Sequence, residues 1–381
     1  MIHPLGKPPM SIPFSSKGEV RNTVDRTSLH DKLLSEAEAC TNVSIYFQHK
    51  LTKIDFNTMT LTFLDSSGPT PREVMVKHDF IFGCDGAYST VRKQMERHDH
   101  INFHQEYAYH GYKELVIPPT EDGKHALESD HFHLWGKDEY VAVGVPNVDG
   151  KFRISLVFPF ESFFRFKTQE DVLTFFRKRF PDFLSLLGEE KLVADFLHNP
   201  ANSIVTIKCS PHHTPAGALL LGDSAHAMVP FLGQATNCGF EDCLVFSGIL
   251  QEKHLDFFEA AKEYSNMRCV DTHAICDLSN DFYAQMGSQN KPFLSRMKEQ
   301  LKSYLSIFMP RTFMPLYAMV SFTRIPYATA VQWSHWQDRV VSRGLKLAGL
   351  STFAVAVLLV YRYLPLTRWM KLSLRLQISK V

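Results

Sequence analysis

The chain has 381 residues with 45% hydrophobic content, and 41 basic against 40 acidic residues leave a net charge of +1. That length and apolar content exclude a disordered chain, and the balanced charge excludes the basic field that gathers nucleic acid. Seven cysteines, Cys40, Cys84, Cys209, Cys238, Cys243, Cys269 and Cys276, fall at no metal-ligand or disulfide-framework spacing, which points to free thiols in a reducing compartment. No metal site is expected, since the pairs His131/His133 and His212/His213 have no cysteine or carboxylate at ligand distance in sequence.

The opening "MIHPLGKPPM" is not a secretory signal, because no charged start leads into an apolar run. Residues 27 to 39 place Leu29, Leu33, Leu34 and Ala37 at helical spacing, with Thr27 or Ser28 as the cap. "VSIYFQHKLTKIDFNTMTLTFLD" alternates like two strands joined near Asp55 to Thr58, and "KHDFIFGCDGAYSTVRKQM" then reads as strand, glycine loop and helix. Residues 101 to 215 carry aromatic-rich strand patterns and one helical insertion, "QEDVLTFFRKRF", which ends at Pro181; an antiparallel sheet with a helix is expected.

"GALLLGDSAHAMVPFLGQATNCGFEDCLVFSGIL" repeats the order strand, loop and helix, with the helix expected from about Gly239. Up to residue 335 the chain reads as mostly helical, punctuated by Pro292, Pro310, Pro315 and Pro326. Leu347 to Tyr361 contains no charge and is flanked by Arg339, Arg343 and Lys346 before and Arg362, Arg368, Lys371 and Arg375 after. With Tyr361, Tyr363 and Trp369 as interfacial residues and long cationic stems able to snorkel, the run predicts a membrane anchor, and "RWMKLSLRLQISK" suits a lipid surface.

The two strand-loop-helix segments carry the chemistry. In "DFIFGCDGAYSTVR", Gly83 and Gly86 permit a tight turn or close approach to a ligand, and the helix starting near Ser89 offers its first amides to an anion or a hydroxylated chain. In "LLLGDSAHAMVP", Gly222 permits close approach and Asp223 supplies a carboxylate for two hydroxyl donors; Gly233, Asn237 and Gly239 then carry the chain over a flat ligand. Either loop alone is a weak signal, because ordinary strand-to-helix turns also collect Gly and Asp. The structural alternatives for the remaining polar residues are a packing or hydrogen-bonding role in the loop for His226, rather than that of a base, and helix-start charges for Glu241 and Asp242.

"GCDGAYSTVR" and "GDSAHAMVPFLGQATNCGFEDC" resemble two fingerprints of the flavin-dependent aromatic hydroxylases, and "MIHPLGKPPMSIPF", "RTSLHDKLL", "HGYKELVIPP" and "FMPLYAMVSFTRI" extend the likeness along nearly the whole chain. The resemblance implies an FAD protein whose flavin is reduced by NADPH and activates molecular oxygen to hydroxylate the ring of a small aromatic amino acid. It implies cofactor contacts from Arg26, near the pyrophosphate, Leu51, on the adenine side, and Asp85, Gly86 and Thr90 in the first loop. In the second loop it implies Gly222, Asp223, Gly233, Thr236 and Asn237, with Asp223 on the ribityl chain and Thr236 and Asn237 facing the ring system. No side chain is assigned as catalytic, since the flavin performs the oxygen chemistry. The membrane implied is the mitochondrial outer membrane, with the enzyme on its cytosolic face.

Three substrate positions also follow from the resemblance. Phe14 stands where the family has a tyrosine and Phe282 where it has an asparagine, whereas Tyr317 keeps the family's tyrosine. Ala235 replaces a glycine of the family's flavin loop, which predicts a strained backbone there. The likeness starts at an internal point of the family, so its opening G-x-G-x-x-G unit and an arginine just beyond it have no counterpart in this sequence, and an incomplete FAD domain of reduced grip is expected. The two Phe exchanges suit a less polar aromatic substrate, and the missing unit a non-catalytic membrane-anchored form. The architecture expected is α/β: a partial FAD-binding domain at 1–100, a substrate-binding sheet domain at 101–215, the second part of the FAD-binding domain at 216–290, a helical region at 291–340, and a membrane anchor with basic tail at 341–381.

Overall fold

The computed structural model describes residues 1–12, 18–137, 139–287 and 293–363, so Phe14, Trp369 and the basic stretch 368–380 lie outside the described residues. The chain forms two compact units, Met1–Ser288 and Gln289–Val381.

The first unit is built on a six-stranded sheet in the order Ile2–His3, His133–Lys137, Tyr140–Pro146, Phe152–Pro159, Asn102–Ile117, Asn202–Ser210. Its core follows from the period of two in "FRISLVF": Phe152, Ile154, Leu156 and Phe158 point to one face and are fully buried there. The helix Gln169–Arg179, started by a Thr168/Asp171 capping box, lays Val172, Leu173 and Phe176 on that face. Two shorter helices that the sequence did not announce, Asp182–Leu187 and Glu189–His198, complete the layer with Phe183, Leu192 and Phe196. The edge strand Ile2–His3 is also new: it pairs in parallel with Leu134 and Trp135 from more than a hundred residues away.

A second, small sheet places the two glycine loops. Ile81–Gly83 and Ala218–Leu220 run parallel in the register Ile81 to Ala218 and Gly83 to Leu220, and His213–Thr214 flanks the latter. Both loops therefore leave the carboxyl ends of adjacent parallel strands, where α/β sheets hold ligands. Beneath them a three-stranded antiparallel sheet, His49–Asp55, Thr60–Asp65 and Arg72–Lys77, packs Ile54, Phe56 and Leu61 against Ile81, Val91 and Met95. The first two strands and their turn match the sequence reading, and the third was missed.

The helix Arg26–Glu38 is capped by Asp25, whose carboxylate accepts from the Ser28 amide at 2.9 Å, correcting the assignment of the cap to Thr27 or Ser28. It buries no residue completely.

The second unit contains the helices Phe293–Phe308, Leu316–Phe322 and Tyr327–Tyr363. The last begins as a packing element, where the side chains of Trp333 and Gln337 donate to the Thr312 carbonyl at 3.1 and 3.3 Å. It continues without a break through Leu347, Leu350, Phe353 and Leu358, all exposed. Among the described residues it is the one helix long and apolar enough to cross a membrane.

Candidate cofactor site between two glycine loops

The first loop satisfies itself. Asp85 accepts from the Ser89 hydroxyl at 2.5 Å and from the amides of Thr90 and Val91 at 2.6 and 3.1 Å, and the Ser89 hydroxyl accepts from the Arg92 amide at 2.9 Å. The expectation that the Thr90–His98 helix offers free amides to a ligand is thus corrected: its first donors are capped from within. Gly83 is small for a different reason from the one expected. A Cβ there would stand 2.7 Å from Leu220 and 3.0 Å from Val91, so the glycine permits strand-helix packing. Gly86, at φ +80° with open space around it, makes the turn.

The second loop is left open. Gly222 adopts φ +60°, ψ −142°, a conformation reserved for glycine, with open space where a Cβ would be. Asp223, next in the chain, is exposed, and its carboxylate has no hydrogen-bond partner among the described residues. After Gly233, in the left-handed region at φ +65°, the 18-residue helix Ala235–Glu252 begins without a side-chain cap. Its first amides, at Ala235, Thr236 and the exposed Asn237, carry the positive end of the helix dipole toward the loop. The helix starts at Ala235 rather than near Gly239, which removes the strain expected there: Ala235 is the first helical residue, with no positive φ. Gly239 brings this helix to within 3.8 Å of the Gly222 Cα, measured from the position a Cβ would take.

Arg92 and Ser224 tie the loops together. The fully buried Arg92 guanidinium donates to the carbonyls of Ser224 at 2.6 Å and Ala87 at 2.7 Å, one in each loop. Ser224 in turn donates toward the carbonyls of Gly83 and Leu221. Arg21, not singled out in the sequence, closes the second loop from the other side by donating to the Leu232 carbonyl at 3.0 Å.

Below the second loop lies a buried ionic cluster. His226 Nε2 meets Asp242 Oδ2 at 2.6 Å, Arg268 Nε donates to Asp242 Oδ1 at 2.8 Å, and an Arg268 terminal nitrogen donates to Glu241 at 2.8 Å and to the Cys238 carbonyl at 3.2 Å. Burial pushes the His226 imidazole down, but the Asp242 carboxylate outweighs it and holds the group up to about 10. Asp242 is likewise pushed up by burial yet held well below the usual carboxylate range by His226 and Arg268. The helix-start reading of Asp242 is therefore corrected, since it lies inside the helix and is paired there, while His226 takes the hydrogen-bonding one of its two expected roles. Ligand-type atoms of His226, Cys238 and Asp242 lie within 4.8 Å of one another, a grouping that sequence spacing did not reveal. Both Asp242 oxygens are already engaged, and a guanidinium occupies the cluster, which disfavours a second cation.

Against known proteins, a family model described as an FAD binding domain matches residues 11–252. Kynurenine 3-monooxygenase of Sus scrofa is 39% identical over 349 residues, covering 92% of this chain and 73% of that protein. The enzyme of the same name from Anopheles gambiae is 36% identical, covering 99% of this chain and 77% of that one. The chain belongs to the kynurenine 3-monooxygenase family. Among solved structures, 2-methyl-3-hydroxypyridine-5-carboxylic acid oxygenase shares the fold, at a TM-score of 0.56 and 21% identity over 70% of this chain and 68% of that one. The chain is thus an FAD-dependent aromatic monooxygenase of the α/β hydroxylase fold.

The second loop fits a flavin nucleotide on its own geometry: an unpartnered carboxylate for hydroxyl donors, an uncapped helix start for an electron-rich edge, and Gly222, whose side-chain position is open space. Arg26 is exposed at the start of its helix, and its charge bears on Tyr112 of the large sheet. Leu51 is partly buried against the cluster under the first loop. Phe282, 39% exposed, lies on the helix Phe257–Gly287, and Tyr317 belongs to the second unit, where its ring meets Phe322 edge-on.

Proposed function

We propose that the chain hydroxylates L-kynurenine to 3-hydroxykynurenine, using FAD, NADPH and molecular oxygen. The open second loop in a member of this family carries the reading. Asp223 accepts the ribityl hydroxyls, and the amides of Thr236 and Asn237 face the isoalloxazine ring. Gly222 and Gly233 allow the backbone to approach, Arg26 lies toward the pyrophosphate and Leu51 toward the adenine. Asp85, Gly86 and Thr90 hold the first loop in shape beside the cofactor. FAD supplies the redox and oxygen chemistry; this chain's residues bind it, orient it and shield it from water. Phe14, Phe282 and Tyr317 are assigned to the substrate side.

The Tyr327–Tyr363 helix serves as the anchor, and the mitochondrial outer membrane, with the enzyme facing the cytosol, is the proposed location. The domain limits read from the sequence stand as part of this proposal. The test is the full chain in detergent, loaded with FAD. L-Kynurenine should accelerate NADPH oxidation and yield 3-hydroxykynurenine by mass spectrometry. A flavin-loaded protein whose NADPH oxidation ignores kynurenine would overturn the substrate assignment.

A further inference from the structure

Asp242 has no route to a ligand, being completely buried, yet it is joined to the open loop through the backbone. Its Oδ2 accepts from the Gly222 amide at 2.9 Å, twenty residues back in sequence, as well as from His226. Gly222 is the residue whose glycine-only conformation turns Asp223 outward. Asp242 is anchored in turn by Arg268 on the next helix, Phe257–Gly287, and Arg268 grips Cys238 and Glu241 in the first turns of the Ala235–Glu252 helix. One carboxylate thus bonds the glycine that aims Asp223, and its guanidinium partner bonds the helix start whose amides are uncapped.

We infer that Asp242, held by His226 and Arg268, is a positioning residue that fixes Asp223 and the start of the Ala235–Glu252 helix in the geometry that binds the flavin. The inference rests on the cofactor assignment proposed above. A single buried anion shared by two flavin-facing elements makes them move as one body. Relaxing the anion frees the loop without touching any contact atom.

The experiment compares the wild-type full chain in detergent with Asp242→Asn, which keeps an acceptor for Gly222 but removes the charge, and with His226→Gln, which leaves the Asp242 and Arg268 pair intact. Phe176→Leu, in the core under the large sheet, serves as a control for general destabilisation. Two quantities are read well below each Tm: deuterium uptake of the segment 219–227, and the Kd for FAD by quenching of flavin fluorescence. Asp242→Asn is expected to raise uptake in 219–227 while 152–158 is unchanged, and to weaken FAD about tenfold or more. His226→Gln should do both to a smaller degree, and Phe176→Leu neither, even at a matched loss of Tm. Unchanged uptake in 219–227, or raised uptake with an unchanged Kd, overturns the inference; should Asp242→Asn not fold, His226→Gln is held to the same two criteria. Failure of the wild type itself to bind FAD is a separate result that overturns the cofactor assignment.

Discussion

The two glycine loops leave adjacent parallel strands in register and have the same order of residue types, yet they spend their polar groups in opposite ways. In the first, the exposed Asp85 folds back on the following helix and takes up its first amides, so the loop is a closed structural turn. In the second, Asp223 turns outward, and the supporting carboxylate is supplied from Asp242 within the following helix. A Gly-Asp pair before a helix therefore does not by itself define a ligand site. What decides is whether the aspartate's own helix takes it.

This contrast can be broken by mutation. The largest effect is expected at Arg92, since Arg92→Ala leaves the buried Ser224 carbonyl and the half-buried Ala87 carbonyl without their donor and separates the loops. A loss of about 3 kcal/mol in unfolding free energy is expected, read by denaturant titration. Asp223→Ala should leave Tm within a degree or two of wild type while FAD retention falls on the order of a hundredfold, about 2.7 kcal/mol. Asp85→Ala should show the reverse pattern, costing about 1 kcal/mol of stability through the lost cap and changing FAD affinity much less. If Asp85→Ala weakened FAD as strongly as Asp223→Ala, the division of labour between the loops would be wrong.

A fourth expectation concerns acid. His212 is completely buried, neither ring nitrogen has a hydrogen-bond partner, and His226, Arg268, His273, Asp242 and Tyr264 surround it. Burial, aided by the neighbouring His226, lowers its pKa to about 3. The unfolded chain takes up this proton below about pH 6.5 and the folded chain does not, so stability falls as pH drops from there toward 3. The slope from this group is about 1.4 kcal/mol per pH unit. His212→Leu should flatten the dependence of unfolding free energy between pH 6 and 4 by about one proton's worth. An unchanged slope would place the acid sensitivity elsewhere.

Much of the frame was legible in the sequence because it rests on local patterns. The alternation in "FRISLVF", the insertion ending at Pro181, and the strand-loop-helix order around Gly222 each declare themselves within a few residues. What stayed hidden were pairings set by tertiary context: the Ile2–His3 edge strand, the Arg21 bond to the second loop, and the role of Asp242. A signal for the last was present. Cys238, Asp242, Phe246 and Ile249 form one buried stripe of the Ala235–Glu252 helix, and an acid inside such a stripe requires a buried partner. That the partners are Arg268 and His226 depends on how the next helix packs, which no spacing within the stripe encodes. The strain expected at Ala235 was misjudged because the helix begins there, a boundary of the kind sequence patterns locate least well.

The unbroken helix Tyr327–Tyr363 has a mechanical consequence. At 37 residues it is about 55 Å long, whereas a bilayer's hydrocarbon layer takes up only about 30 Å. The remaining length includes Trp333, Gln337 and Asp338, the last paired with Lys302 at 2.7 Å. Under the proposed anchoring, membrane segment and packing surface belong to one continuous helix. In that proposed arrangement, changes in lipid thickness or tilt would be transmitted as a lever acts, along the helix into the elements of the second unit that pack on it.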